Sequence, residues 1–408
     1  MIIIMKTIGI IAEFNPFHNG HRYLIEQARK QTGADFCIIV MSGSYVQRGE
    51  PAVIGKIDRV RCALKSGADL VLELPVSYSS AGAEAFAHGG ISRLNSLGMI
   101  DHICFGAETD DPDALRTIAG ILNDPPEEYV SRLKHGLKEG LSYPAARAAA
   151  LPEYADILNG SNNILGIEYI KALDRLKSVI TPVSIKRIGT DHNEVSIGEY
   201  ASAMGIRQSI NKLPKDLNMY MPTECAEILW NSLGKSCPVT LEDMHLYLDH
   251  ALLTMNTAEI ASLQDLNTDL ANRIVNKYLD GNYNDISDFI VSMRTKELTY
   301  TRLSRALLHI ILNLTDMTRD GEGRLLPCPY TRILGFKKEA RALMHELKDH
   351  SLIPLINKPA DAGALFTDRR SSELFEAGVR ADRMYDAVAA RKFGFHPADT
   401  MRTGPLII

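Results

Sequence analysis

The stretch Ile8 to Tyr23, IGIIAEFNPFHNGHRY, decides the fold. Its apolar run, Ile8, Gly9, Ile10, Ile11 and Ala12, has the length and character of a buried parallel strand. The run stops at Glu13, and Asn15-Pro16 marks a turn. His18-Asn19-Gly20-His21 follows, and then Tyr23, Leu24 and Ala28 at helical spacing. The pattern is strand, loop, helix, with two histidines and a glycine at the helix entrance. A helix N-terminus offers unpaired N–H groups and partial positive charge, which suits a phosphate chain. Gly20 lets a ligand approach the backbone. His18 and His21 share a face of the first turn, where their imidazoles can donate hydrogen bonds to phosphate oxygens as charge grows. The plainer alternative is a capping loop with two partly exposed histidines. The preceding strand and the Phe14-Asn15-Pro16-Phe17 lead-in favour the phosphate reading.

Outward from this unit the alternation continues. Asp35 to Met41 reads as a second buried strand, closed by Ser42-Gly43-Ser44 and a polar loop through Gln47-Arg48-Gly49-Glu50-Pro51. The next helix carries Lys56, Arg59 and Arg61, read as a basic rim for triphosphate in preference to a solvated face. Asp69 to Leu74 is a third strand, Gly82 to Leu97 a helix, and Ile100 to Phe105 a fourth strand ending in Gly106-Ala107-Glu108. Strands alternating with helices imply βαβ units, a parallel sheet and a Rossmann-like α/β fold. Ligands in such sheets sit at the carboxyl ends of the strands, where Glu13, Ser42 and Gly106 fall.

Helices at about 112–160 interrupt the alternation and read as an insertion or lid. Ser161 is a plausible N-cap of the helix that follows, and Asn162 or Asn163 the alternative reader of a ligand amide or ribose. Val179 to Ile188 reads as another strand, containing Lys186 and Arg187. From Pro222 onward successive helical patterns suggest a boundary near residue 220: a catalytic part over 1–220 and a mainly helical domain over 221–408. Tyr330 to Phe336 and Leu352 to Ile356 are candidate strands within it. Lys296, Arg302, Arg305, Arg319, Arg324, Arg332, Lys337 and Lys338, interleaved with Tyr300, Tyr330 and Phe336, suit RNA through phosphate contacts and stacking; a solvated helical face gives the same pattern.

The chain has 408 residues, 45% hydrophobic and 23% charged, with net charge −5, ordinary for a globular protein of two or three domains. That balance argues against a surface coated in positive charge. The six cysteines are scattered without a CxxC pair, as for reduced cytosolic thiols, and exclude a disulfide frame or a zinc site. The apolar opening MIIIMKTIGI is too short to span a bilayer and lacks a basic leader.

At His18-Asn19-Gly20-His21 the chain resembles the HxGH nucleotidyltransferase superfamily. The superfamily's second signature, ISSTxIR, is matched at Ser202, Ile206 and Arg207, with Met204 at the threonine position. The segments IIAEFNPFHNGH, MSGSYVQRGEPAVIGK, SGADLVLELP, FGAE, SNNILG and ASAMGIR, in this order, resemble the bacterial tRNA(Met) cytidine acetate ligase family. The resemblance implies ATP binding along Ile11, Ala12, Glu13, Phe14, Asn15, Pro16, Phe17, His18, Asn19, Gly20, His21, Arg22, Tyr23 and Leu24. It adds Gly106, Asn162, Arg187 and Ser202, and gives His18, His21 and Arg207 the catalytic role. Implied substrates are ATP with its Mg2+, acetate and elongator tRNA(Met); neither a membrane nor a protein-bound metal is expected. A small-metabolite adenylyltransferase of the same superfamily and a catalytically silent RNA-binding protein are the competing readings.

Overall fold

In the computed structural model, which describes residues 5–188, 203–210 and 217–408, eight strands form the main sheet. They are β1 (Thr7–Ala12), β2 (Phe36–Ser42), β3 (Leu70–Leu74), β4 (His102–Ala107), β5 (Thr181–Lys186), β6 (Thr331–Phe336), β7 (Leu355–Ile356) and β8 (Leu406–Ile407). Their spatial order is β8-β6-β3-β2-β1-β4-β5, with β7 also beside β6. β1 to β5 are parallel, and β6 runs antiparallel to β3. The strand-to-helix alternation in the sequence thus becomes the expected parallel sheet.

Helices cover both faces: α1 (Asn19–Thr32) and α2 (Lys56–Lys65) on one, α3 (Ala83–Ser96) and α4 (Ser161–Arg175) on the other. The period-two geometry of a strand sorts the side chains. Ile8 and Ile10 of β1 and Ile39 and Met41 of β2 pack with Ile25 of α1 and Val60 and Leu64 of α2. Ile11, Val40 and Leu72 point the other way, onto Ile91 and Leu94 of α3. Gly9 allows this close approach, because a Cβ there would lie 2.6 Å from Leu94 Cδ1. Burial on both faces explains why these strands read as unbroken apolar runs.

The insertion expected at about 112–160 consists of helices Pro112–Asn123, Glu127–Lys138, Tyr143–Ala150 and Ala155–Asn159. Its Leu115, Ile118, Ala150 and Leu158 join the core beneath α3 and α4. Beyond residue 240 a separate apolar cluster gathers Leu248, Ile274, Phe289, Leu303 and Leu307. It includes α5 (Tyr300–Leu312) and takes Ala381, Tyr385 and Val388 from α6 (Arg369–Phe393).

The main sheet also takes strands from beyond residue 220, since β6 and β8 extend it past β3. Four charged side chains, none more than 12% exposed, join the halves at that seam. Lys56 of α2 bonds Glu73 of β3 and Asp382 of α6, and Arg332 of β6 bonds the same two carboxylates.

Candidate active site

The loop from β1 to α1 is fixed before any ligand is considered. Its Asn15–Pro16 peptide is cis, and Phe14 has φ of 51°. Asn15 Oδ1 accepts from the Val53 N–H at 2.8 Å, and its backbone carbonyl accepts from Arg207 Nη1 at 2.7 Å. Phe14 and Phe17 pack against each other and against His21, with ring centroids 4.8 to 5.4 Å apart.

His18 is the N-cap of α1 and His21 its third residue. His18 Nδ1 accepts from the Gly20 N–H at 3.1 Å, and His21 Nδ1 accepts from the His18 N–H at 3.2 Å. This is a capping box built from imidazoles instead of hydroxyl and carboxylate. With both Nδ1 atoms used as acceptors, the proton of each neutral ring resides on Nε2, the remaining donor. Both residues line a cleft at the carboxyl end of the sheet. Burial, then the charges of Arg187 and Arg207, bring His18 down to about 3. Burial, His18 and Arg187 hold His21 well below the usual imidazole range. The pair is therefore a set of neutral N–H donors at neutral pH.

The cleft, about 1100 Å³ and open to solvent, reaches from β1 across β4 to the helix Ala203–Ser209. Glu13 closes one side, its Oε1 accepting from the Gln47 N–H at 2.8 Å. The other wall is α4. The Glu108 carboxylate, just past β4, accepts from the backbone N–H groups of Asn162 and Asn163 at 3.1 and 2.7 Å and from Asn162 Nδ2 at 2.6 Å. Asn163 Oδ1 returns the contact by accepting from the Glu108 N–H at 2.9 Å. Arg187 packs beside Gly106, where a Cβ would come within 3.3 Å of its Cγ.

Of the residues expected at the site, Ile11, Ala12, Glu13, Phe14, Asn15, His18, His21, Leu24, Gly106, Asn162, Arg187 and Arg207 line this cleft. Pro16, Phe17, Asn19, Gly20, Arg22 and Tyr23 do not: Phe17 is a buried brace for His21, and Arg22 faces solvent beside Glu26. Gly20 also has a local reason to lack a side chain, because a Cβ there would meet His18 Cε1 at 2.9 Å. Ser202 lies outside the described residues. Met204 lines the cleft, together with Gln47, Arg48, Phe86, Phe105 and Tyr169, which motif reading did not single out as ligands. Gln47 and Arg48 did carry a signal, being part of the quoted MSGSYVQRGEP segment.

Three further readings are corrected. Lys56, Arg59 and Arg61 form no triphosphate rim. Arg59 is buried and donates to the carbonyls of Glu13, Ser42, Gly43 and Ile54, Lys56 sits in the buried seam, and Arg61 pairs with Asp58. Ser161 is not the cap of α4: Gly160 holds that position, and Glu108 satisfies the N–H groups. The basic residues between 294 and 341 are largely engaged internally, Arg305 with Asp265, Arg319 with Glu84, Arg324 with Asp320, Arg332 with Glu73 and Lys337 with Asp69. Tyr330 is buried. Lys296, Arg324 and Lys338 of that stretch remain exposed.

The fold and this histidine-capped cleft define a nucleotidyl transferase of the HIGH class, and the HIGH Nucleotidyl Transferase family model matches residues 5–397. The chain is 43% identical over 372 residues to the tRNA(Met) cytidine acetate ligase of Acetivibrio thermocellus, covering 88% of this chain and 89% of the relative. It belongs to the tRNA(Met) cytidine acetate ligase family. Thermotoga maritima TmcAL in its apo form I is similar with a TM-score of 0.89 at 29% identity, over 99% of this chain and 100% of that one. The form of TmcAL bound with alpha-thio ATP is similar with a TM-score of 0.87, over 99% of each chain.

Proposed function

We propose that this protein activates acetate with ATP and transfers the acetyl group to the wobble cytidine of elongator tRNA(Met), giving N4-acetylcytidine. The observation that carries the reading is the stacked, neutral imidazole pair capping α1 in a cleft that also holds Arg187 and Arg207. The similarity in fold to a TmcAL bound with an ATP analogue supports it.

Acetate is a poor acyl donor, because its leaving group would be oxide. Attack of a carboxylate oxygen on the α-phosphorus of ATP forms a P–O bond. The bond to the β-phosphate breaks, and pyrophosphate leaves with the electron pair. The chemistry needs positioning and charge stabilisation, not a protein nucleophile. His18 and His21 donate through Nε2 to the oxygens that gain charge, and Arg207 clamps the departing pyrophosphate. The cytidine amino group then attacks the acetyl carbon of the mixed anhydride, AMP leaves, and the nitrogen loses a proton. Ile11 to Asn15, His18, His21 and Leu24, with Gly106, Asn162, Arg187 and Ser202, hold ATP in this reading. Among the described residues no three His, Cys, Asp or Glu side chains converge as a metal cage. Mg2+ would enter on the triphosphate and offset part of its negative charge.

Residues 1–220 form the nucleotide site and residues 221–408 bring up the tRNA, with β6 and β8 shared between the roles. Among the described residues no helix is long and apolar enough to cross a membrane, and action on cytoplasmic tRNA is part of the same proposal. The test is nucleoside mass spectrometry of elongator tRNA(Met) incubated with protein, ATP and labelled acetate. Labelled N4-acetylcytidine supports the reading. ATP–pyrophosphate exchange that ignores acetate overturns it.

A further inference from the structure

A second cavity, of about 370 Å³, lies between the insertion and α4. Its floor is charged and its walls are apolar. On the floor Glu168, Lys171 and Arg147 are each less than one-tenth exposed. Lys171 Nζ bonds Glu168 Oε2 at 2.7 Å, while Arg147 Nη1 stands 4.0 Å from Glu168 Oε1. One carboxylate thus serves two cations. Glu84 at the edge is shared: Arg175 and Arg319 hold it at 2.7 and 2.9 Å, and Lys171 acts on it as well. A buried positive charge without its own counter-ion is costly. On the same lining the Tyr129 hydroxyl is buried and, among the described residues, has no hydrogen-bond partner.

A buried hydroxyl in such a position ordinarily finds a partner. An anion between Tyr129 and Arg147 would satisfy both groups at once. The walls limit what carries that anion: Leu122, Val130 and Leu133 present aliphatic surface. The volume is that of a small-molecule pocket.

We propose that this pocket binds a small organic carboxylate, its head group on Tyr129 Oη and Arg147 and its apolar body against Leu122, Val130 and Leu133. The site is distinct from the nucleotide cleft, although the two share α4. Asn162, Leu165 and Tyr169 of that helix line the cleft, and Glu168 and Lys171 line the pocket. The proposal does not depend on the acetate ligase reading.

The test is calorimetric titration of the full chain with acetate, hexanoate, benzoate and inorganic phosphate, each with ATP present at saturation. Hexanoate is expected to bind saturably and at least about tenfold tighter than acetate, through methylene burial. Arg147→Gln should weaken it by about tenfold, and Tyr129→Phe by roughly threefold, with circular dichroism and ATP binding unchanged. Binding of hexanoate that is lost when ATP is added overturns the proposal. So does equal affinity for hexanoate, acetate and phosphate, indifference to both substitutions, or no saturable binding of either hexanoate or benzoate.

Discussion

His18 and His21 stack with ring centroids 3.7 Å apart and an interplanar angle of 26°, each holding its Nδ1 on a backbone N–H. One contact thus closes the helix end and fixes the tautomer of both rings. His21→Ala removes a transition-state donor and half of the cap. Acetate-dependent ATP–pyrophosphate exchange should fall by about 10²–10³. Stability should drop by only about 1 kcal/mol. Exchange kinetics beside a thermal melt separate the two effects.

Gly20→Ala tests the same pair without touching it. Helix propensity favours alanine over glycine by about 1 kcal/mol. The added Cβ, however, would lie 2.9 Å from His18 Cε1 and push that ring off its cap. The expected outcome is a protein of about its parent's stability, the propensity gain and the lost cap offsetting each other, with a strongly reduced exchange rate. A variant retaining full exchange activity would count against the ring placement.

Protonation of buried histidines sets the acid limit. His18 and His88, held to about 3 and about 4 chiefly by burial, bind a proton more weakly folded than unfolded. The unfolded chain therefore takes up protons first as pH falls. Their contribution is complete above about 6.5 and is lost progressively toward pH 4, costing about 2 kcal/mol for each at pH 5. Urea midpoints should decline steadily between pH 7 and pH 5. Within the same range kcat should show no step assignable to His18.

Glu108→Ala should loosen the far wall of the cleft. The Glu108 carboxylate carries the first N–H groups of α4 and the Asn162 side chain. Its loss should cost about 1–2 kcal/mol. KM for ATP should rise with little change in kcat, because positioning rather than charge stabilisation is affected. A fall in kcat with KM unchanged would place Glu108 differently.

Asp382→Asn should break the buried seam. Asp382 accepts from Arg332 at 3.1 Å, Ser44 at 2.7 Å and Thr400 at 3.2 Å, and it also bonds Lys56. Removing its charge leaves two buried cations on Glu73 alone, for a loss of about 3–5 kcal/mol. Although burial raises the Asp382 carboxyl, Lys56 and Arg332 outweigh it and hold the group well below the usual range. Its contribution is therefore present above pH 4 and disappears only in stronger acid. Urea denaturation at pH 7 measures the loss.

The sequence by itself determined the core of the fold. Strands buried on both faces are apolar along most of their length, so β1 to β4 stand out as runs. The loop between β1 and α1 stands out because phosphate chemistry calls for histidine, glycine and a helix N-terminus in one short span. Such signals are local in the chain and survive without coordinates. Tertiary structure decided what depends on residues far apart. Arg59 looks like any surface base until its guanidinium is seen bound to four backbone carbonyls. Likewise, Glu108 resembles a strand-end carboxylate, yet it caps a helix 54 residues away. β6 finds its place beside β3 only through non-local pairing, and the buried charges of Lys56, Glu73, Arg332 and Asp382 are tolerable only because they meet. A charged side chain has the same letter in water and in a core; burial and partner, which a linear pattern does not encode, decide which it is.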